Sequence, residues 1–266
     1  MLRNIMGGMA LFVLSFTLLS GCSNNNNPVS GTLSPNGTAA PNVSLSIKFS
    51  NTTTLPKTNG IQAVDSIVIT RARFVLRDLK LGSDSENKDY NMDTDVENKD
   101  NKNENDKHRP TVVDLNLSSA LQQIAVANLP AGTYNKVKFE IHKVSQTEVN
   151  ALPASEQPKF ADFLSGAKYS VLVDGKSYKN GTATDFNFKS QVEAEVDINL
   201  TKSLIVTANT TTLNITLDFN SNGWFKDSSG KLIDPSDPNN LSLINNNIRK
   251  SMKVYEDDNK DGNEDD

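Results

Sequence analysis

Apolar and polar residues alternate in several separate stretches of the chain. In the first, Val43, Leu45, Ile47 and Phe49 alternate with polar residues. This period of two is typical of a strand with one buried face, because successive side chains of a strand point to opposite sides of the sheet. The same pattern recurs in residues 65–81, 112–117, 134–144, 169–173, 184–188, 192–200 and 213–219. The chain is therefore predicted to be mainly β, with about eight strands. Since no long helix separates them, an antiparallel β-sandwich is favoured.

Two segments show helical rather than strand spacing. Residues 150–166 are predicted to contain a short helix on the sandwich edge, carried by Phe160, Phe163 and Leu164. Residues 242–255 are predicted to form an amphipathic helix that packs on the sandwich. Its apolar positions are Leu241, Ile244, Ile248 and Met252.

Two dipeptides are typical of tight hairpin turns. Asp174-Gly175 and Asn180-Gly181 lie between the predicted strands at 169–173 and 184–188. Asn-Gly and Asp-Gly favour the positive φ angles that two-residue hairpin loops require. The two predicted strands are therefore expected to be partners.

The composition divides the rest of the chain into segments. Residues 83–109 are rich in charged residues and asparagine and hold few large apolar ones, so we expect a disordered, solvated insertion. Residues 22–41, rich in Asn, Ser, Thr, Gly and Pro, are predicted to be a flexible tether. The sandwich domain is placed at residues 42–226, a C-terminal extension at 227–256 and an acidic tail at 257–266.

The N-terminus has the features of an export signal. Arg3 precedes an apolar run at residues 5–19, which is shorter than the roughly 20 residues that a membrane-spanning helix needs. The sequence Leu19-Ser20-Gly21-Cys22 then resembles the lipobox of bacterial lipoproteins. That resemblance implies cleavage between Gly21 and Cys22 and lipidation of Cys22, including an acyl chain such as palmitate. It also implies an anchor in the cell envelope, in the outer membrane of a Gram-negative cell.

One short motif in the predicted folded part carries a second resemblance. Leu129-Pro130-Ala131-Gly132-Thr133-Tyr134 resembles the L-x-x-G-x-Y corner of transthyretin-like, or prealbumin-like, sandwich domains on bacterial surfaces. In that corner the tyrosine opens a strand and packs into the core. The order of the surrounding predicted strands is similar to that of a family of bacterial lipoproteins of unknown function. The family implies a fold and a lipid anchor and no particular activity.

The composition excludes several classes of function. With 27 basic and 32 acidic residues, the formal net charge of −5 argues against a nucleic-acid partner. One cysteine and two histidines leave little for a Cys/His metal centre. The sequence holds no G-x-S-x-G, H-E-x-x-H, P-loop or G-x-G-x-x-G motif. We therefore predict a protein that is not an enzyme. The alternative is a hydrolase acting on the envelope or on polysaccharide through acidic residues that spacing does not reveal.

Two candidate binding features each have an ordinary structural alternative. Arg71, Arg73 and Arg77 form a basic stripe that suits an anionic glycan or a lipid headgroup, or are simply the solvent face of a strand. Trp224, followed by Phe225, is a candidate sugar platform or a part of the core.

The two histidines are the candidates for a general base. His142 is expected to lie on the outer face of its strand as an ordinary surface histidine. His108 falls in the charged insertion and is the weaker candidate.

The acidic tail contains part of a calcium-loop pattern. Asp257, Asn259, Asp261 and Gly262 match positions 1, 3, 5 and 6 of such a loop, with Asp265 as a later ligand. The chain ends before the bidentate Glu of an EF-hand, so the tail is closer to the calcium repeats of extracellular proteins. A solvated acidic terminus is the alternative. No cofactor other than this Ca²⁺ is predicted.

These observations lead to one hypothesis. The protein is expected to be a non-enzymatic, lipid-anchored envelope protein whose β-sandwich serves as a binding or structural module. Its expected partners are the membrane, through the lipid, and a glycan or protein ligand.

Overall fold

The described part of the chain is dominated by β-strands. A computed structural model describes residues 42–51, 64–83, 88–93, 109–210 and 212–265. The strands are β1 (Val43–Ser50), β2 (Ser66–Ser83), β3 (Asp89–Asn91), β4 (Thr111–Asp114), β5 (Gln122–Ala127), β6 (Gly132–Ile141), β7 (Val171–Lys179), β8 (Thr182–Ser190), β9 (Ala194–Val206), β10 (Leu213–Asn220) and β11 (Met252–Glu256). The helices are α1 (Gln146–Asn150) and α2 (Leu241–Lys250), with short 3-10 helices at Gln157–Leu164, Ser221–Gly223 and Pro238–Asn240. The prediction of a mainly β protein is confirmed.

Several sequence predictions concern residues outside these ranges. The export signal, Cys22, the tether up to residue 41 and His108 are not among the described residues. Within the described residues, no helix has both the length and the apolar character that a membrane crossing requires.

The strands form one curled, mixed sheet. Their order is β5-β1-β10-β11-β9-β6-β2-β7-β8, with β3 and β4 also paired to β2. Strand β1 runs parallel to β10, and β11 runs parallel to β9, while the other pairs are antiparallel. The prediction of a wholly antiparallel sheet is therefore wrong at two positions. Both parallel pairs join strands that are distant in sequence, and so no short hairpin dictates their direction.

The main core lies inside the curl of the sheet. The Phe74 ring on β2 lies 4.9 Å from the Phe219 ring on β10, centroid to centroid, and 5.9 Å from the Trp224 ring. Trp224 also packs edge-on against Phe49 of β1 at 5.7 Å. These contacts join strands from the two halves of the strand order, so burial of the aromatic rings holds the curled shape.

Strand β2 is buried on both faces along its middle. Phe74 and Leu76 face the main core, whereas Val75 faces a second, smaller apolar cluster. Helix α1 and the 3-10 helix at Gln157–Leu164 cover this cluster with Val149, Phe160 and Phe163. The predicted short helix is thus present, and it lies over the sheet rather than at its edge. We call α1 and this 3-10 helix together the helical cover.

Part of the predicted insertion belongs to the sheet. Residues 83–109 were expected to be solvated throughout, but β3 pairs with the end of β2. Met92 is buried in the main core, and the Tyr90 ring packs against Tyr134 at 5.5 Å. For residues 88–93 the prediction is wrong, because Tyr90 and Met92 are too few to form a recognisable pattern in the sequence but pack against the main core in the folded chain.

The predicted C-terminal helix is shorter than expected. Helix α2 ends at Lys250, and Met252–Glu256 turn back as strand β11 between β10 and β9. Met252 is buried as expected, but from the strand. The helical spacing of the four apolar residues therefore predicted the wrong conformation for Met252. There, β10 offers backbone hydrogen bonds that favour a strand over a further helical turn.

Of the two dipeptides predicted to form hairpin turns, only Asn180-Gly181 does so. Asn180 and Gly181, at φ 51° and 76°, connect β7 to β8 as the pattern predicts. Gly175 instead lies within β7, where a Cβ atom would come within 2.3 Å of the Val68 carbonyl oxygen. This glycine is needed for close approach of β2 and not for a bend.

Candidate functional site

The predicted basic stripe on β2 is engaged in contacts within the protein. Arg73 is only 6% exposed. Its guanidinium donates to Asp162 Oδ2 at 2.8 Å and to the Lys159 carbonyl oxygen at 2.5 Å, and it lies 5.0 Å from the centre of the Phe163 ring. Burial, and then the charge of Arg71, lower the pKa of Arg73, while acidic neighbours oppose the shift. Arg73 thus ties the helical cover to β2, and its burial contradicts the prediction of a surface cation.

The other two arginines of the stripe are also paired with acids. Arg71 donates to the same Asp162 Oδ2 atom at 2.8 Å. Arg77 donates from Nε and Nη2 to Glu140 Oε2, at 2.9 and 2.6 Å, and from Nη1 to Glu148 Oε1 at 3.1 Å. Because each guanidinium already faces a carboxylate, the stripe is a poor match for a second, anionic ligand.

The tryptophan proposed as a sugar platform is part of the core. Trp224 is completely buried, and its Nε1–H donates to Ser251 Oγ at 2.8 Å. The following Phe225 packs edge-on against Phe186 and Phe188 of β8. An aromatic ring without exposed surface cannot stack on a sugar, so the platform hypothesis is wrong.

His142 is buried, and not on the surface as predicted. It directly follows β6 and is 5% exposed beneath the start of the helical cover. Helix α1 begins with a capping box in which Ser145 caps the helix and Glu148 Oε2 accepts from the Ser145 N–H at 2.8 Å. The other oxygen, Glu148 Oε1, lies 2.8 Å from His142 Nε2. The cap therefore fixes the carboxylate that contacts the histidine.

The charge state of Glu148 bears on the candidate hydrolase. Burial alone would raise the pKa of Glu148, but hydrogen bonds from Ser145, and then from His142, outweigh it, so the net pKa is lowered. A general acid needs the opposite shift. The arrangement therefore does not favour Glu148 as the acid of a hydrolase.

Two further acidic residues, Glu140 and Glu193, lie close to the imidazole of His142. Ile141 pairs with Ala194 in the β6–β9 ladder, which brings the next residues, His142 and Glu193, close together. One ligand atom each from Glu140, His142 and Glu193 lie within 4.8 Å of one another. Among the described residues, no other trio of His, Cys, Asp or Glu converges this closely. Sequence reasoning missed this group, although Glu140 and His142 share a strand face, because the pairing with β9 is not visible in the sequence.

The acidic tail folds into an ordered loop against the sheet. Asp257 is fully buried; Thr216 Oγ1 donates to its Oδ2 at 2.7 Å, as does the Gly262 N–H at 3.1 Å. The Gly262 carbonyl oxygen accepts from the Lys48 ammonium group and from the Tyr255 hydroxyl. These contacts connect the tail to β1, β10 and β11.

The residues predicted to bind calcium lie together in this loop. The Asp261 N–H donates to Asp257 Oδ1 at 3.1 Å and to Asn259 Oδ1 at 2.8 Å. Asn259 Nδ2 in turn donates to Asp265 Oδ1 at 3.1 Å. Gly262 has φ 78°, the left-handed conformation expected of the glycine in such a loop. The carboxylates nevertheless do not converge as closely as the ligand atoms of Glu140, His142 and Glu193, so a calcium ion would have to draw them together.

The electrostatics around the tail reflect its crowded acids. Burial, and then the carboxylates of Asp218 and Asp257, raise the pKa of Tyr255 well above its usual range. Burial and then Asp258 raise the pKa of Glu256. Negative charge is thus unfavourable in this region as it stands, and a bound cation would relieve the repulsion.

Comparison with known proteins adds no identification. No family model, no curated protein and no solved structure matches the chain.

Proposed function

We propose that this chain is a lipid-anchored envelope protein whose folded part is a non-enzymatic β-sandwich module with a binding or structural role. The observation that carries the proposal is the N-terminal sequence, in which Arg3, the apolar run at 5–19 and Leu19-Ser20-Gly21-Cys22 come one after another. Two or more acyl chains on Cys22 would anchor the protein stably, since each buried methylene contributes about 0.8 kcal/mol.

The prealbumin-like sandwich is the finer part of this proposal. The curled sheet with its aromatic core supports it, as does the L-x-x-G-x-Y segment. Tyr134 is buried, and its hydroxyl donates to the Pro130 carbonyl oxygen at 2.9 Å. A tyrosine that bonds back a few residues upstream is a feature of β-sandwich corners.

A non-enzymatic role is supported by the way the candidate side chains are used. The three arginines of the stripe and Trp224 serve the packing of the fold. A hydrolase, the rival hypothesis, would need one carboxyl group with a raised pKa beside a second carboxylate. The lowered pKa of Glu148 argues against Glu148 as the acid of such a pair.

The anchor is tested by Cys22→Ser. The variant should be released from membranes or remain unprocessed, and metabolic labelling with a fatty acid should be lost, because the oxygen does not accept the lipid as the thiol does. Cell fractionation and the mass of the mature chain report both effects, with Ser23→Ala as the matched control. A Cys22→Ser protein that still matures and stays fully with membranes would overturn the proposal.

We further propose that the tail binds one calcium ion weakly through Asp257, Asn259, Asp261 and Asp265. The loop geometry and the like charges described above support this. Because the ligands are not drawn together beforehand, the expected dissociation constant is about 10⁻⁴ to 10⁻³ M. At 1 mM Ca²⁺ the folded state would gain roughly 0.4 to 1.4 kcal/mol.

The test is calorimetric titration and thermal melting with Ca²⁺. An Asp261→Asn, Asp265→Asn double variant keeps the oxygen of residue 261 that accepts from the Asn263 N–H and one of the two accepting oxygens of residue 265. It removes two charges, so it should lose the calcium response and keep the fold. Glu264→Gln removes a tail charge outside the ligand set and should respond like the original protein. Equal responses of the original protein and the double variant up to about 10 mM Ca²⁺ would show that the tail is only an acidic terminus.

A further inference from the structure

His142 Nδ1, next to the end of β6, is one of several buried side-chain atoms of the described residues for which the structure shows no hydrogen bond. His142 Nδ1 is shielded from solvent, and no donor or acceptor lies within hydrogen-bonding geometry of it. Its closest acidic neighbour is Glu140 Oε1, at 3.5 Å. Buried polar atoms are almost always paired, so an exception of this kind requires an explanation.

The surroundings of the other ring nitrogen determine the tautomer. His142 Nε2 lies 2.8 Å from Glu148 Oε1 and 3.3 Å from Arg77 Nη1. We assign the proton to Nε2, because an unprotonated Nε2 would direct its lone pair at the closer carboxylate oxygen. In a neutral imidazole, Nδ1 then carries a lone pair, and Glu140 Oε1 lies 3.5 Å from it. A carboxylate oxygen of Glu193 lies within 4.8 Å of the ligand atoms of both residues. Three electron-pair donors that face one another favour a cation between them.

We propose that Glu140, His142 and Glu193 bind one divalent transition-metal ion, for which Zn²⁺ is the best match. The ligand atoms of a tetrahedral zinc site with bonds of about 2.0 Å lie about 3.3 Å apart. The observed Nδ1–Oε1 separation of 3.5 Å already fits. Glu193 Oε2 lies 3.5 Å from Lys143 Nζ, and the Glu193 side chain is 47% exposed. The metal would therefore compete with one partly exposed lysine for this carboxylate, and the exposed side of Glu193 leaves a coordination position open to solvent.

The groups around the trio hold its ligands in place. Arg77 binds Glu140 through Oε2, which leaves Oε1 for the metal. Glu148 accepts from Nε2 of His142, the carboxylate–histidine arrangement that orients metal-bound imidazoles. Two cations, Arg77 and Lys143, are paired with four carboxylates in this region, and a divalent cation would offset the two negative charges that remain. The four carboxylates are those of Asp78, Glu140, Glu148 and Glu193.

The ligand set distinguishes this site from the calcium loop of the tail. An imidazole nitrogen with two carboxylates suits zinc and its neighbours in the first transition row, whereas calcium takes six to eight oxygen ligands. Zinc binding here should therefore persist when calcium is present in excess.

The test uses the full chain purified in detergent, without a histidine tag, and carrying His108→Gln. His142 is then the single histidine, because the sequence has two. Titration with Zn²⁺ in 2 mM Ca²⁺ should show one bound ion. In protein labelled with ¹⁵N-histidine, the Nδ1 resonance should shift on zinc addition while Nε2 remains protonated.

Matched variants separate a metal site from diffuse attraction. Glu193→Gln alters an exposed ligand and should weaken zinc binding by roughly tenfold or more without loss of the fold. Glu195→Gln removes the same charge from the residue of β9 that pairs with Glu140 and should leave the affinity within about twofold. Glu148→Gln, which can still form the capping box, should weaken zinc binding about 10- to 100-fold by loss of the group that orients the imidazole.

Three results would overturn the proposal. These are failure to bind Zn²⁺ up to about 1 mM, coordination through Nε2, and equal losses for Glu193→Gln and Glu195→Gln. None of them depends on Cys22 or on the tail, so the lipid anchor and the calcium loop are tested separately.

Discussion

Arg73 offers the sharpest test of whether the basic stripe is structural. Substitution of Arg73 by Met keeps an apolar stem of similar length against Phe163 but removes the guanidinium. Arg71→Met is the matched control, since Arg71 lies two residues away and contacts the same Asp162 oxygen while its side chain is 42% exposed. The two variants therefore differ in burial and in the bond that Arg73 alone makes to the Lys159 carbonyl oxygen.

The expected cost is set by the contacts that are lost. Arg73 makes two close hydrogen bonds, to Asp162 and to the Lys159 carbonyl oxygen, and hydrogen bonds of charged groups contribute about 1.5–3 kcal/mol each. Asp162 is more than half exposed and regains water, and the variant no longer buries a guanidinium, so part of the loss is recovered. We expect the free energy of unfolding to fall by about 2 kcal/mol for Arg73→Met, against about 0.5 kcal/mol or less for Arg71→Met.

Urea denaturation measures both differences. With an m-value of about 2–3 kcal/mol/M, the unfolding midpoint of Arg73→Met should fall by roughly 0.7–1 M, and that of Arg71→Met by about 0.2 M or less. The slope should not change, because the fold remains the same. Equal midpoints for the two variants would refute the reasoning that Arg73 fastens the helical cover to β2.

Three further predictions concern the core, the tail side of the sheet and the insertion. Trp224→Phe should lower the free energy of unfolding by about 1–3 kcal/mol, through the lost bond to Ser251 and lost volume, and a calorimetric stability unchanged from the original would contradict it. Burial raises the pKa of Asp218 in the folded state. The charged carboxylate therefore destabilises the fold above that pKa, whereas below the unfolded-state pKa near about 4 both states are protonated and the effect is absent. Asp218→Asn should thus raise the melting temperature at about pH 7, and this gain should vanish as the pH falls to about 3. Deletion of residues 88–93 should destabilise the fold by about 2 kcal/mol or more, since Met92 leaves the core, and an unchanged thermal transition would show that this packing contributes little.

The alternation of apolar and polar residues was enough to predict most strands. It located the strands at 43–49, 134–144 and 213–219, which form as β1, β6 and β10, although β6 ends at Ile141. It missed β5 and β3, and it assigned β11 to a helix. A short strand carries too few residues for its periodicity to be distinctive, and its conformation depends on the partner that supplies its hydrogen bonds.

The candidate sites depended more strongly on the tertiary structure. Arg73 and His142 have the sequence pattern of solvent-facing residues, since both alternate with apolar neighbours along a strand. They are buried because the helical cover lies on that outer face, a second layer that period-two alternation does not encode.

The acidic tail shows what the sequence determined by itself. The spacing of Asp257, Asn259, Asp261 and Gly262 predicted a tight loop, and the loop forms through side-chain contacts between near neighbours in the chain. The trio of Glu140, His142 and Glu193 was decided by the tertiary structure alone, because the pairing of β6 with β9 brings Glu193 to residues about fifty positions earlier. Local interactions can be recognised from spacing, whereas a site built across a sheet depends on a strand register that only the folded chain establishes.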